Sequence, residues 1–179
     1  METERSKAVG RICVWQGGSL WLSRGSGTVD THDHHAIQIS LAIEGSMRLK
    51  TPEDPDWRLY AAAVVPCHQP HALRVADAVT GMIFVDPESH EGRVLTDRFG
   101  EGGIVTLPAD LGAEAISTLS AACRERLFEQ ELIGAAREVI QILTAGARPR
   151  VVVDPRIRKA VELVQERLPG AIVQEEVAE

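Results

Sequence analysis

The sequence predicts a mainly β fold: a barrel of short antiparallel strands, followed by a helical hairpin and one further helix. Three observations lead there. The first hundred of its 179 residues contain short runs of Val, Ile and Leu punctuated by Gly and Pro, the pattern of a sandwich or barrel. After Pro108 the apolar residues change to helical spacing. Five of the six histidines fall in two short clusters, both inside the β half.

The elements follow in order. Val9–Val14 and Ser19–Ser23 read as strands separated by Gly17-Gly18, with a glycine-rich turn at Gly25-Ser-Gly27. His32 to Leu41 reads as one alternating strand, and Ser46–Lys50 as another behind a turn at Glu44-Gly45. Thr51–Asp56 is an exposed loop. Arg58–Val65 is a strand stopped by Pro66, and Ala72–Val75 and Gly81–Val85 complete the series. His90 is expected in a surface loop. Helices are expected over Ala113 to Phe128 and Glu131 to Ala145, close enough in sequence to pair antiparallel. A third starts at Asp154 as N-cap with Pro155 behind it and stops at Pro169-Gly170; Val173–Glu179 begins a fourth. The expected domains are 1–108 for the barrel, 109–147 for the hairpin, and 148–179 for a linker and a further helix.

Composition narrows the functional classes. At 44% apolar residues the chain is globular, and at 4% aromatics its core is aliphatic. A net charge of −7 without a basic run argues against DNA binding by this chain itself. Cys13, Cys67 and Cys123 are widely spaced with no Cys-x-x-Cys pair, which fits a reducing, cytoplasmic setting. No apolar leader follows Met1, and the longest apolar run, around Tyr60–Cys67, is too short to span a bilayer. There is no nucleophile triad, and Gly100–Gly103 lacks the lysine of a phosphate-binding loop.

Strand parity puts His32, His34, Ala36, Gln38 and Ser40 on one face, and Asp33, His35, Ile37, Ile39, Leu41 and Ile43 on the other. The first face carries potential ligands; the second is apolar and needs a cover. The spacing His32-x-His34-x3-Gln38-x6-Gly45 resembles the first cupin motif, with Gln where the family has Glu. Pro66-Cys-His-Gln-Pro-His71 resembles the second, keeping its Pro and final His, with Val75 in the place of Asn. The resemblance implies a cupin barrel and a metal site of His32, His34, Gln38 and His71, suited to a divalent Zn, Fe, Ni or Mn ion. The glutamine lowers the negative charge of such a site and weakens it. Ser40, Met47 and His68 are the expected ligand-contacting residues. The same histidines also suit a metal-free polar pocket that holds an anion.

The order of elements resembles the sensor half of an AraC-type transcriptional regulator. The matching residues are His34-His35-Ala-Ile-Gln38, Val65 to Leu73, Val85-Asp-Pro-Glu-Ser89, and above all Asp154-Pro-Arg-Ile-Arg-Lys-Ala-Val-Glu-Leu-Val, with Ile172 to Ala178 behind it. This implies a small-molecule effector, a homodimer formed through Ala113–Ala145, and DNA contact only through a domain missing from a chain truncated before its recognition helices. Leu119, Leu127, Leu132 and Val139 suit either that dimer interface or a cover for the face of Ile37, Ile39 and Leu41, and the two uses stay equally open. A metal-dependent cupin enzyme of dioxygenase or isomerase type is the alternative. No membrane association is expected.

Overall fold

The structure, a computed structural model, describes residues 7–100, 102–124, 128–147 and Lys159. Residues 1–149 and 150–179 form two compact units, and the first carries the strands and the histidine clusters. The helix expected from Asp154, the segment Val173–Glu179 and Leu127 lie outside the described residues.

Among the described residues the first unit holds seven strands: β1 (Lys7–Trp15), β2 (Gly18–His32), β3 (Ile37–Lys50), β4 (Arg58–Tyr60), β5 (Ala62–Val65), β6 (His71–Val85) and β7 (Val105–Thr106). All pairings are antiparallel, in the order β1-β2-β6-β3-β5-β7, with β4 added to β3. Three helices are described: α1 (His90–Phe99), α2 (Ala109–Arg124) and α3 (Glu129–Thr144).

The long strands belong to two leaves. The first half of β3 pairs with β5 and the second half of β6, while its second half pairs with β4 and the first half of β6. The leaves join where the β3–β6 register shifts, between Ala42 and Ser46. Gly45 there has φ +74°, and Asp77, in the β6 bend facing it, has φ +42°. A β-carbon on Gly45 would stand 2.2 Å from the Asp77 carbonyl oxygen, so only glycine lets the two strands bend together.

The bulge also inverts parity, because one extra residue moves every later side chain to the other face. Gln38, Ser40 and Ala42 face between the leaves before it; Met47 and Leu49 do so after it. In β6 the inward set changes from His71, Leu73 and Val75 to Met82 and Phe84. Met47, Leu49, Tyr60, Ala63, Val65 and Leu73 form the inner core. A larger core lies outside the first leaf, where Ile37, Ile39, Leu41, Val64, Ile83 and Val85 meet the helices.

Several sequence expectations are corrected here. Gly25-Ser-Gly27 is a bulge inside β2, and Glu44-Gly45 a bulge inside β3; neither is a turn between strands. His32 and His34 are not on one strand: β2 ends at His32, residues 33–36 turn, and β3 starts at Ile37. Ala72–Val75 and Gly81–Val85 belong to one strand. His90 opens α1, which Ser89 caps by accepting a hydrogen bond on its Oγ from the Gly92 N–H at 2.9 Å. The hairpin helices start a few residues earlier than expected. Of the two uses left open for Leu119, Leu132 and Val139, the structure shows the covering one: all three are buried in the core that the barrel shares with the helices. No described helix is long and apolar enough to cross a membrane.

Candidate metal and ligand site

Antiparallel pairing sets His32, the last residue of β2, directly opposite His71, the first of β6. The turn between β2 and β3 swings His34 onto the same spot. The ring centroids stand 4.4 Å (His32–His71), 5.2 Å (His34–His71) and 5.8 Å (His32–His34) apart. One nitrogen from each ring lies within 4.8 Å of the others. His71 is fully buried, His34 half-buried and His32 exposed, so the cluster runs from the interior to the rim.

Backbone carbonyls orient all three rings. The Nδ1 atoms lie 2.9 Å from the Asp30 oxygen for His32, 2.8 Å from the Ala36 oxygen for His34, and 2.9 Å from the Gln69 oxygen for His71. A carbonyl only accepts, so Nδ1 carries the proton in each ring and Nε2 carries the lone pair. Holding three imidazoles in one tautomer by hydrogen bonds behind the ring is the usual support of a metal-ligating histidine.

Gln38 sits behind His34, its side-chain amide 2.9 Å from His34 Nε2 and 2.8 Å from Ser40 Oγ. The contact to His34 is made by Gln38 Oε1, and the Gln38 NH2 donates to Ser40 Oγ. With Nδ1 protonated, His34 Nε2 turns its lone pair toward that oxygen, and a cation between the two would satisfy both. Gln38 and Ser40 are both buried.

His71 Nε2 is a buried polar atom with no partner among the described residues. Burial holds the His71 pKa down to about 4 from 6.5, helped by His32 and His34, whose charges oppose a third, and resisted by the Gln69 carbonyl. The ring is therefore neutral at neutral pH, with its lone pair aimed at an unsatisfied point. The donor set fits a divalent transition ion at this point: neutral imidazole nitrogens with their far sides tied down.

The cluster opens on a cavity of about 390 Å³. Its walls are mainly apolar, with Trp21, Leu73, Met82 and Phe84 prominent, and His32, Gln38 and His71 at the polar end. Phe84 also meets the His34 ring edge-on, with centroids 5.3 Å apart.

Of the residues expected from sequence, His32, His34 and His71 come together, and Gln38 joins them through His34. Ser40 stands behind Gln38. Met47 packs in the inner core. His68 points elsewhere and pairs with His35, their nearest nitrogens 3.0 Å apart. The cavity walls Trp21, Met82 and Phe84 were not singled out from sequence; their parity in β2 and β6 was the available signal.

The chain shares its fold with the AraC-like transcriptional activator CuxR, at 13% identity and a TM-score of 0.52, over 97% of this chain and 69% of that one. The fold is a cupin barrel followed by helices. Lower-scoring likenesses include protein NMB1881 from Neisseria meningitidis (21% identity, 43% of this chain, 82% of that one, TM-score 0.38). Another is a cupin superfamily protein from Desulfitobacterium hafniense (12%, 48% of this chain, 82% of that one, TM-score 0.38). No protein-family model matches the chain. No curated protein matches it.

Proposed function

We propose that the barrel is the small-molecule sensing module of an AraC-type transcriptional regulator, and that its ligand is read at a metal held by His32, His34 and His71. The observation that carries the binding site is the buried, partnerless Nε2 of His71 at the polar end of an apolar cavity. An uncompensated buried nitrogen costs about 1–3 kcal/mol, and a cation or ligand donor there removes that cost. Support for regulatory output comes from the shared fold with an AraC-like activator, which extends past the barrel into the helices.

The cavity indicates the ligand class. Its size suits a compact organic molecule, and its walls suit an apolar body with one oxygen-rich end directed at the histidines. A bound divalent ion would supply a Lewis-acidic centre for that end. Trp21 and Phe84 would hold the apolar part, and Gln38 would fix the His34 ring. A net charge of −7 leaves phosphate contact to another domain of the regulator.

Metal analysis of tag-free protein, with calorimetric titration of Zn²⁺ and Ni²⁺, tests the site. One ion should be lost on His71→Ala, and again on His32→Ala. Undiminished binding in both variants removes the site. The runner-up is a metal-dependent cupin enzyme, which the three neutral imidazoles beside an open cavity also suit. Catalytic turnover of a small molecule by metal-loaded protein would put that reading first.

A further inference from the structure

A second cluster of metal-binding side chains lies outside the cavity, on the surface. His35 comes from the β2–β3 turn, Cys67 and His68 from the turn between β5 and β6, and Glu88 from the segment before α1. His35 Nδ1 stands 3.0 Å from His68 Nε2 and 3.7 Å from Cys67 Sγ. One ligand atom from each of the three residues lies within 4.8 Å of the others.

The outer sides of both rings face carboxylates. His35 Nε2 is 3.0 Å from both Glu88 oxygens, so it donates its proton there. His68 Nδ1 is 3.7 Å from Asp33 Oδ2, which favours the proton on that nitrogen. With both outer nitrogens protonated, the two inner nitrogens present lone pairs to each other, and that arrangement calls for a cation between them. A carboxylate behind each histidine is also the support that metal-ligating imidazoles use.

The spacing suits a particular ion. Tetrahedral zinc, with nitrogens at about 2.0–2.1 Å and a thiolate at about 2.3 Å, sets neighbouring nitrogens roughly 3.3 Å apart and nitrogen and sulfur roughly 3.6 Å apart. The 3.0 and 3.7 Å observed are within a few tenths of those edges. His68 is held in place at φ +57°, unusual for a residue with a side chain, by its N–H donating to the His34 carbonyl at 2.9 Å.

We propose that His35, Cys67 and His68 form a second, surface site for a thiophilic divalent cation of the zinc class, distinct from the cavity. Burial and then Glu88 push the Cys67 thiol up, so binding must expel the thiol proton to solvent. The fourth position is left to water or a partner's donor. An ion there would tie the turn that carries His34 to the turn that leads into His71.

Cobalt(II), titrated into the full chain, separates the two sites, because only this one offers sulfur. Thiolate-to-cobalt absorption in the near ultraviolet should appear, survive His71→Ala, and vanish in Cys67→Ser. His68→Ala and His35→Ala should each weaken cobalt binding at this band tenfold or more, and Glu88→Gln about tenfold. Absence of the band in the wild-type chain, its survival in Cys67→Ser, or an unchanged affinity in the histidine variants would overturn the proposal.

Discussion

His71 concentrates the chemistry of the barrel in one ring. Its folded-state pKa lies near 4, against 6.5 when unperturbed, so the unfolded chain takes up this proton first as pH falls. The stability it contributes is fully present above about pH 6.5 and is lost between there and pH 4, up to roughly 3 kcal/mol. In metal-free protein under chelator, urea unfolding should show that decline, and His71→Leu should remove most of it. A decline of equal size in the variant would assign it to other groups. The same substitution reverses sign with metal. Without metal, His71→Leu should be neutral or stabilising by about 1 kcal/mol, since a buried orphan nitrogen is gone. With Zn²⁺, the wild type should gain more in melting temperature than the variant, which keeps only the surface cluster of His35, Cys67 and His68. The histidine cluster was legible in the sequence because the His-x-His spacing and the second His survive as motifs. The fate of His68 was not, since the backbone of its turn, at positive φ, aims it away from the cavity. Met47 was placed in the ligand pocket because nothing in its neighbourhood distinguishes an inner-core position from a cavity wall.

At the scale of elements, bulge chemistry and turn chemistry use the same residues. Gly25-Ser-Gly27 and Glu44-Gly45 read as breaks between strands, yet they are bends within β2 and β3, and only the cross-strand pairing distinguishes the two. The parity of β3 was legible as far as Leu41, because Ile37, Ile39 and Leu41 do face the helices. Beyond the bulge it inverts, and no local signal marks the inversion. Helix α1 was missed because only Gly92, Val94, Leu95 and Phe99 are buried, too few for a clear period. The hairpin helices were legible from their spacing, and their packing supplies two tests. Leu119 is fully buried in the core shared by barrel and helices. Leu119→Ala should cost about 2–5 kcal/mol in denaturant unfolding, independent of protein concentration. A cost that depends on concentration would return Leu119 to an interface between copies. Gly134 is exposed within α3 with open space around its α-carbon. Gly134→Ala should therefore stabilise by about 1 kcal/mol, raising the melting temperature by roughly 2–4 °C. A lower melting temperature would mean that this face of α3 tolerates no added methyl group.

Across the described part of the unit, the helices bury apolar faces in the core they share with the barrel, and most of the large apolar side chains left exposed lie on β1 and β2: Val9, Ile12, Val14, Trp21 and Val29, with Leu59 and Phe128 elsewhere. Ile12, Trp21 and Val29 are also cavity walls. Exposure there places the apolar opening of the cavity at the sheet's β1 side, with the histidines at its polar end. This layout was not legible in advance, because it depends on how β2 and β6 bend. On the proposed reading, ligand and metal would meet at His32 and His71, at the polar end of this cavity, and their binding would be coupled. Because coupling is reciprocal, a metal that tightens the ligand tenfold is itself tightened tenfold by the ligand, about 1.4 kcal/mol in each direction. Medium-chain carboxylates such as octanoate are suitable probes, with an apolar tail for Trp21 and Phe84 and one oxygen pair for the metal. Calorimetry with the Zn²⁺-loaded protein should give at least tenfold tighter octanoate binding than with chelated protein. Zn²⁺ titrations with and without octanoate should return the same factor. His71→Ala should abolish the difference while leaving weak, metal-independent binding by the apolar walls. Trp21→Ala should weaken octanoate in both conditions by a similar factor, since the tail contact is the same with or without metal. Equal octanoate affinity in loaded and chelated wild-type protein would show that the ligand does not reach the histidines, and that metal and effector act at separate places.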